Sequence, residues 1–187
     1  MVWHRNHSFY TGRALNIVSI MEIRDKELHR IVSTAIIHKD GKYLLLKRSE
    51  EKKAFPGKWT VPGGGLNVND YINSPKSTKA GQWYNALEHS LRREVKEETG
   101  FDVGKLRYLL DLAFIRPDNI PVLVLSYYCD YLKGEVQLDT DNTDYAWANL
   151  AEAKEYDLIE GVLEEIEMVD KIIKGENPER LEHSQKI

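Results

Sequence analysis

The sequence predicts a single α/β (α+β) domain, and three observations carry that expectation. A β-branched run at residues 31–37 is joined by Asp40-Gly41 to a second apolar run at 43–46, the pattern of a tight hairpin. Between Trp83 and Thr99 the apolar period becomes helical, and Gly100 stops it in the manner of a C-terminal cap. Two long strand patterns, 106–115 and 122–132, then precede an amphipathic helix with Leu158, Val162, Ile166, Val169 and Ile173 at helical spacing. A chain of 187 residues is long enough for one well-buried core.

Taken in order, residues 1–20 hold Arg5 and Arg13 but no acid, and lack the apolar run of a secretion signal. They read either as an extension before a native start at Met21 or as an ordered extra strand or arm. Residues 1–30 are thus an N-terminal extension or extra strand, 31–175 the domain, and 176–187 a polar tail. The run at 43–46 is apolar on both faces, so it is expected to be central. Residues 49–58 are polar and turn at Pro56-Gly57. A short strand at 59–61 leads into Pro62-Gly63-Gly64-Gly65, and 66–82 read as loop. A further edge strand is expected at 135–137 and a short strand at 145–147, with the terminal helix spanning 158–173.

Composition narrows the function. With 26 Lys+Arg against 30 Asp+Glu the net charge is -4, too acidic for a surface that coats extended nucleic acid. No apolar stretch is long enough to span a membrane. The single Cys129 cannot form an internal disulfide, which suits a reducing, cytoplasmic setting, and it reads as an inert core residue. His38 and His89 have no partners at metal-ligand spacing. Asp139-Thr140-Asp141-Asn142-Thr143-Asp144 resembles a calcium loop but has Asp144 where glycine is needed and Leu150 where glutamate is needed.

The helix ending at Gly100 carries the chemistry. On a helical wheel Tyr84, Leu87, Leu91 and Val95 form an apolar stripe. Glu94 and Glu98 lie on or beside its line, and Glu97 lies next to Glu94. Three carboxylates at the negative end of a helix dipole repel one another and lose solvation. Arg93, four residues before Glu97, offsets only part of this. A solvated face explains most Glu-rich helices. Here the alignment with the apolar stripe, and the glycine loop upstream, favour a divalent cation held by carboxylate oxygens.

Arg93-Glu94-Val95-Lys96-Glu97-Glu98-Thr99-Gly100-Phe101 resembles the second half of the Nudix hydrolase signature at every fixed position. Pro62-Gly63-Gly64 resembles the approach to its first half, with Gly64 as the signature glycine. The resemblance spans about residues 31–173. It departs in two ways: Asp70 stands where the family has Glu, and the seven-residue gap is 22 residues here, an insertion of about 15. Surface insertions cost little closure entropy, so the fold is retained.

The resemblance implies an α/β/α sandwich around a mixed central sheet. It implies Mg²⁺- or Mn²⁺-dependent hydrolysis of a nucleoside diphosphate linked to another moiety. Gly64, Glu94, Glu97 and Glu98 would bind the metal. Glu94 would be a ligand or the general base, and Arg93 would hold the glutamates in place. Asp139, Asp141 and Asp144 are alternatives for a further base or ligand. Arg48, Lys58, Asp70 and Trp83 are candidates for substrate contact. The partner would be a small nucleotide, and a homodimer is left open. Pro117, 16 residues past Phe101, points toward ADP-ribose, while Phe55-Pro56-Gly57-Lys58-Trp59 looks equally like triphosphate-cleaving relatives. The competing readings are a catalytically inactive nucleotide-binding sensor on the same scaffold, and a protein-interaction domain with incidental acidity.

Overall fold

The computed structural model describes residues 28–178 apart from Pro117. The expectations placed on residues 1–20, on Met21, on Pro117 and on the tail beyond residue 178 lie outside the described residues.

The β-branched run forms β1 (Arg30–Lys39), and the apolar run forms β2 (Lys42–Arg48). Both hairpin residues are left-handed, Asp40 at φ 50° and Gly41 at φ 74°, the turn whose twist matches its flanking strands. The remaining strands are β3 (Trp59–Thr60), β4 (Gly63–Gly65), β5 (Asp102–Val103), β6 (Arg107–Ile115), β7 (Pro121–Lys133) and β8 (Asn142–Ala148). β1 pairs in parallel with β7 from Arg30 to His38, while β2, β4, β5, β6 and β8 join antiparallel ladders. The sheet is therefore mixed.

Among the described residues three α-helices complete the fold: α1 (Ala86–Thr99), α2 (Leu150–Ala153) and α3 (Val162–Ile173). Alternation along β1 and β2 divides the core into two layers. Ala35, Ile37, Leu44 and Leu46 pack with Leu91 and Val95 of α1. Ile36, Tyr43 and Leu45 pack with Val162, Ile166 and Val169 of α3. The result is the α/β/α sandwich. Cys129 is buried in the α1 layer, where burial pushes its thiol up to about 12.

Local differences from the sequence reading have physical reasons. The helix predicted from Trp83 starts at Ala86, because Asn85 is left-handed at φ 58° and turns the chain out of the helical path. Tyr84, expected on the apolar stripe, is 62% exposed, and its N–H donates to Ser77 Oγ. The terminal helix starts at Val162, after left-handed Gly161; Leu158 instead forms a bridge with Trp59. Residues 135–137 form no strand: Gln137 N–H donates to Thr99 O, and Val136 packs on the core. The glycine run is a short strand on β1 in place of a free loop.

Candidate active site

α1 places the site because its middle is pinned on two sides. Leu91 and Val95 are fully buried beneath it, and Arg92 donates to the Val103 and Gly104 carbonyls beside it. At its end Gly100 N–H caps the Lys96 carbonyl. The last turns therefore have a determined orientation, and Arg93 fans out over the carboxylates. Its Nε donates to Asp70 Oδ1 at 2.6 Å, one Nη to Glu94 Oε1 at 2.9 Å, and the other to Glu97 Oε2 at 2.8 Å.

Asp70 reaches Arg93 across the insertion. It ends a short 3₁₀ turn, Val68–Asp70, whose capping box ties the Asn67 and Asp70 side chains to each other's backbone. The Asp70 side chain is 4% exposed and accepts from Arg93, Asn67 N–H and Ser90 Oγ. Burial alone would raise its carboxyl, but the hydrogen bonds from Arg93, Asn67 and Ser90 outweigh it and lower it to about 2.

The glycine strand faces the acids. Gly63 N–H donates to Glu98 Oε2 at 2.8 Å. The Glu94 carboxylate lies so close to Gly64 that a Cβ there would sit 2.2 Å from Glu94 Cδ. Burial pushes the half-buried Glu98 up to about 8, against the hydrogen bond from Gly63; Asp139 and Glu94 add to the rise, and Asn142 opposes it. A carboxylate that burial holds above its ordinary range, with Asp139 and Glu94 adding to the rise, beside backbone carbonyls in a glycine strand, belongs to a donor set suited to a hard divalent cation. Among the described residues, no three His, Cys, Asp or Glu side chains are already gathered around one point. Arg93 draws Glu94 and Glu97 to itself, so ligation would require them to turn from it.

Comparison with known proteins identifies the family. The chain matches the NUDIX domain family over residues 27–170. The chain belongs to the Nudix family. It is accordingly a Nudix-type pyrophosphohydrolase. Over 139 residues it is 28% identical to "Nucleoside triphosphatase NudI" of Escherichia coli strain K12, covering 69% of this chain and 88% of that protein. The MutT protein of Methanosarcina mazei Go1 has a similar structure, with TM-score 0.59 and 26% identity over 78% of this chain and 96% of the other. The NUDIX domain of Shewanella oneidensis NrtR, solved with ADP ribose, shares the fold at TM-score 0.60 and 20% identity, over 78% and 88%.

Around this Nudix helix the other expected residues fall in different places. Arg48 lines a cavity and is close enough to Glu98 for that carboxylate to act on its charge. Lys58 pairs with Asp157 and lines neither that cavity nor the one at Arg93 and Glu94. Trp83 stacks on Tyr71 at 5.3 Å and donates to Ser74 O, within the insertion. Of the three later aspartates, Asp139 acts on Glu98, Asp141 pairs with Lys52, and Asp144 caps Tyr145 N–H. Sequence reasoning missed Ser90, Asn142, Arg30 and Arg116. Ser90 sits four residues before Glu94 on the same helix face, so the wheel could have found it. Arg30, Arg116 and Asn142 are distant in sequence and carry no local signal.

Proposed function

We propose that this Nudix enzyme hydrolyses the pyrophosphate bond of a nucleoside diphosphate linked to another moiety, with Mg²⁺ or Mn²⁺. The observation that supports this is the meeting of Glu94 and Glu98 with the Gly63–Gly65 strand, where burial, with Asp139 and Glu94 adding, raises Glu98. Glu97, Glu98, Glu94 and the Gly64 carbonyl would hold the metal. When bound, the cation polarises the phosphoryl oxygens and lowers the pKa of the attacking water.

The chain's own residues do the rest. Asp70 anchors Arg93, and Arg93 holds Glu94 and Glu97 on one side of the helix, close to where ligation would need them. Glu94, 19% exposed and seated on Gly64, is placed to orient the water or accept its proton. The water oxygen bonds to phosphorus, the anhydride P–O bond breaks, and the departing phosphate takes the electron pair.

Two relatives point to different substrates: the E. coli relative is named for nucleoside triphosphates, and the NrtR domain was solved with ADP ribose. A substrate panel with Mg²⁺, scored by release of phosphate, pyrophosphate or nucleoside monophosphate, tests the reaction. Glu97→Gln, at a residue 57% exposed and thus tolerant of change, is expected to abolish turnover without altering the melting temperature. Turnover equal to wild type would refute the ligand assignment. Nucleotide binding with no turnover in the wild-type chain would favour the sensor.

A further inference from the structure

We propose that the cavity walled by Arg30, Arg48, Lys53 and Arg116 seats the terminal phosphates of the substrate, so the group linked to the nucleoside diphosphate is itself phosphate. This inference rests on the hydrolase reading above and names the substrate class for it.

The cavity has a volume of about 480 Å³ and draws its walls from distant parts of the chain. Arg30 opens β1, Arg48 closes β2, Lys53 lies in the β2–β3 loop, and Arg116 follows β6. Its position is set by two links to the carboxylates. Arg48 is close enough to Glu98 and Asp141 for both to act on its charge. Arg30 lines this cavity and also the neighbouring one that contains Arg93, Glu94 and Asp70, with its guanidinium against Gly65. A phosphate held at the helix carboxylates would therefore have the next phosphates of a chain lying toward the cations.

The charge of the cavity is only partly offset from within: Glu51 and Asp141 line it beside five cations. Lys52 is neutralised by Asp141, and Arg116 uses one Nη on Asp118. Arg30, Arg48 and Lys53 form no ion pair with a described carboxylate. Arg116 Nε is buried without a hydrogen-bond partner among the described residues. A buried guanidinium donor is costly to leave unmade, and a phosphate oxygen is the acceptor its planar fork fits best. Arg48 already spends its Nε on the Ala54 carbonyl, which sets its plane. None of the residues lining the cavity is aromatic, so it offers no surface on which a base could stack. A ribose would leave the surplus of cations over Glu51 and Asp141 unmatched; terminal phosphates would neutralise it.

The test begins with inorganic tripolyphosphate, titrated calorimetrically in EDTA into the full chain and into Arg116→Gln, Lys53→Gln and Lys133→Gln. Lys133 is an exposed cation outside the cavity. Wild type is expected to bind, Arg116→Gln to weaken binding about tenfold and Lys53→Gln about threefold, and Lys133→Gln to leave it unchanged. With Mg²⁺, Arg116→Gln is expected to raise KM for a nucleoside triphosphate about tenfold with little change in kcat, the mark of lost positioning. No binding by wild type, unchanged binding by a folded Arg116→Gln, or equal weakening by Lys133→Gln would overturn the proposal. So would ADP-ribose as the better substrate with a KM indifferent to these variants. If Arg116→Gln fails to fold, the exposed Lys53→Gln decides on the same terms. If tripolyphosphate binds and the variants weaken it while no nucleotide is hydrolysed, the phosphate seat stands and the hydrolase reading falls.

Discussion

Asp70→Ala is the most informative single substitution, because one side chain ties the insertion to the helix that bears the glutamates. Two of its hydrogen bonds carry different energies. Ser90 is fully buried, so losing its acceptor leaves a desolvated hydroxyl, at a cost of about 1–3 kcal/mol. The Arg93 guanidinium is 35% exposed and keeps Glu94 and Glu97, so its lost ion pair adds only about 0–1 kcal/mol. The sum, about 1–4 kcal/mol, corresponds to a fall in Tm of about 2–16 °C for a chain of this size. Differential scanning calorimetry against pH gives a second reading. The Asp70 carboxyl is lowered from 3.8 to about 2, so its contribution is fully present above 3.8 and lost as pH falls through about 2. The Tm gap between wild type and Asp70→Ala should be constant at neutral pH and narrow only below 3.8. Turnover should fall as well, since Arg93 loses its anchor. A variant that melts with wild type, or a gap that does not narrow in acid, would refute the reasoning.

Two further outcomes follow from the geometry. Gly64→Ala places a Cβ 2.2 Å from Glu94 Cδ, so the carboxylate must move; Mg²⁺-dependent kcat should drop about 100-fold, and a drop under about twofold would show that Glu94 need not sit there. Glu165, 5% exposed on α3, is raised from 4.5 to about 7 by burial first, with Glu164 adding and the hydrogen bond with Ser126 opposing. Its folded form resists ionisation, so it costs stability that grows as pH rises from 4.5 to about 7 and then levels off. Glu165→Gln should accordingly melt above wild type, by a margin that widens across that window; a margin flat with pH would contradict the assignment.

How much was legible in the sequence depends on the range of the interaction. The 31–46 hairpin was readable because Asp40 and Gly41 carry the turn conformation in their own backbone preferences. The Leu91 and Val95 stripe was readable because helical period alone puts them on one face. Tyr84 was misplaced because periodicity extends a helix until something stops it, and left-handed Asn85 is a stop that residue type only weakly signals. Lys58 looked like a substrate contact from its place beside the glycine run, but the fold turns it to Asp157.

The sequence by itself determined the two faces of the sheet and the helix that bears Arg93, Glu94, Glu97 and Glu98. Those features depend on spacings of four residues or fewer, which backbone geometry converts directly into a shared face. Tertiary structure alone decided that Asp70 closes on Arg93 from 23 positions away, that Asp139 is the later aspartate acting on Glu98, and that Arg30 and Arg116 border one cavity. No local pattern encodes these meetings. They come from the parallel pairing of β1 with β7 and the packing of α1 on the sheet, which bring together residues that the chain holds far apart.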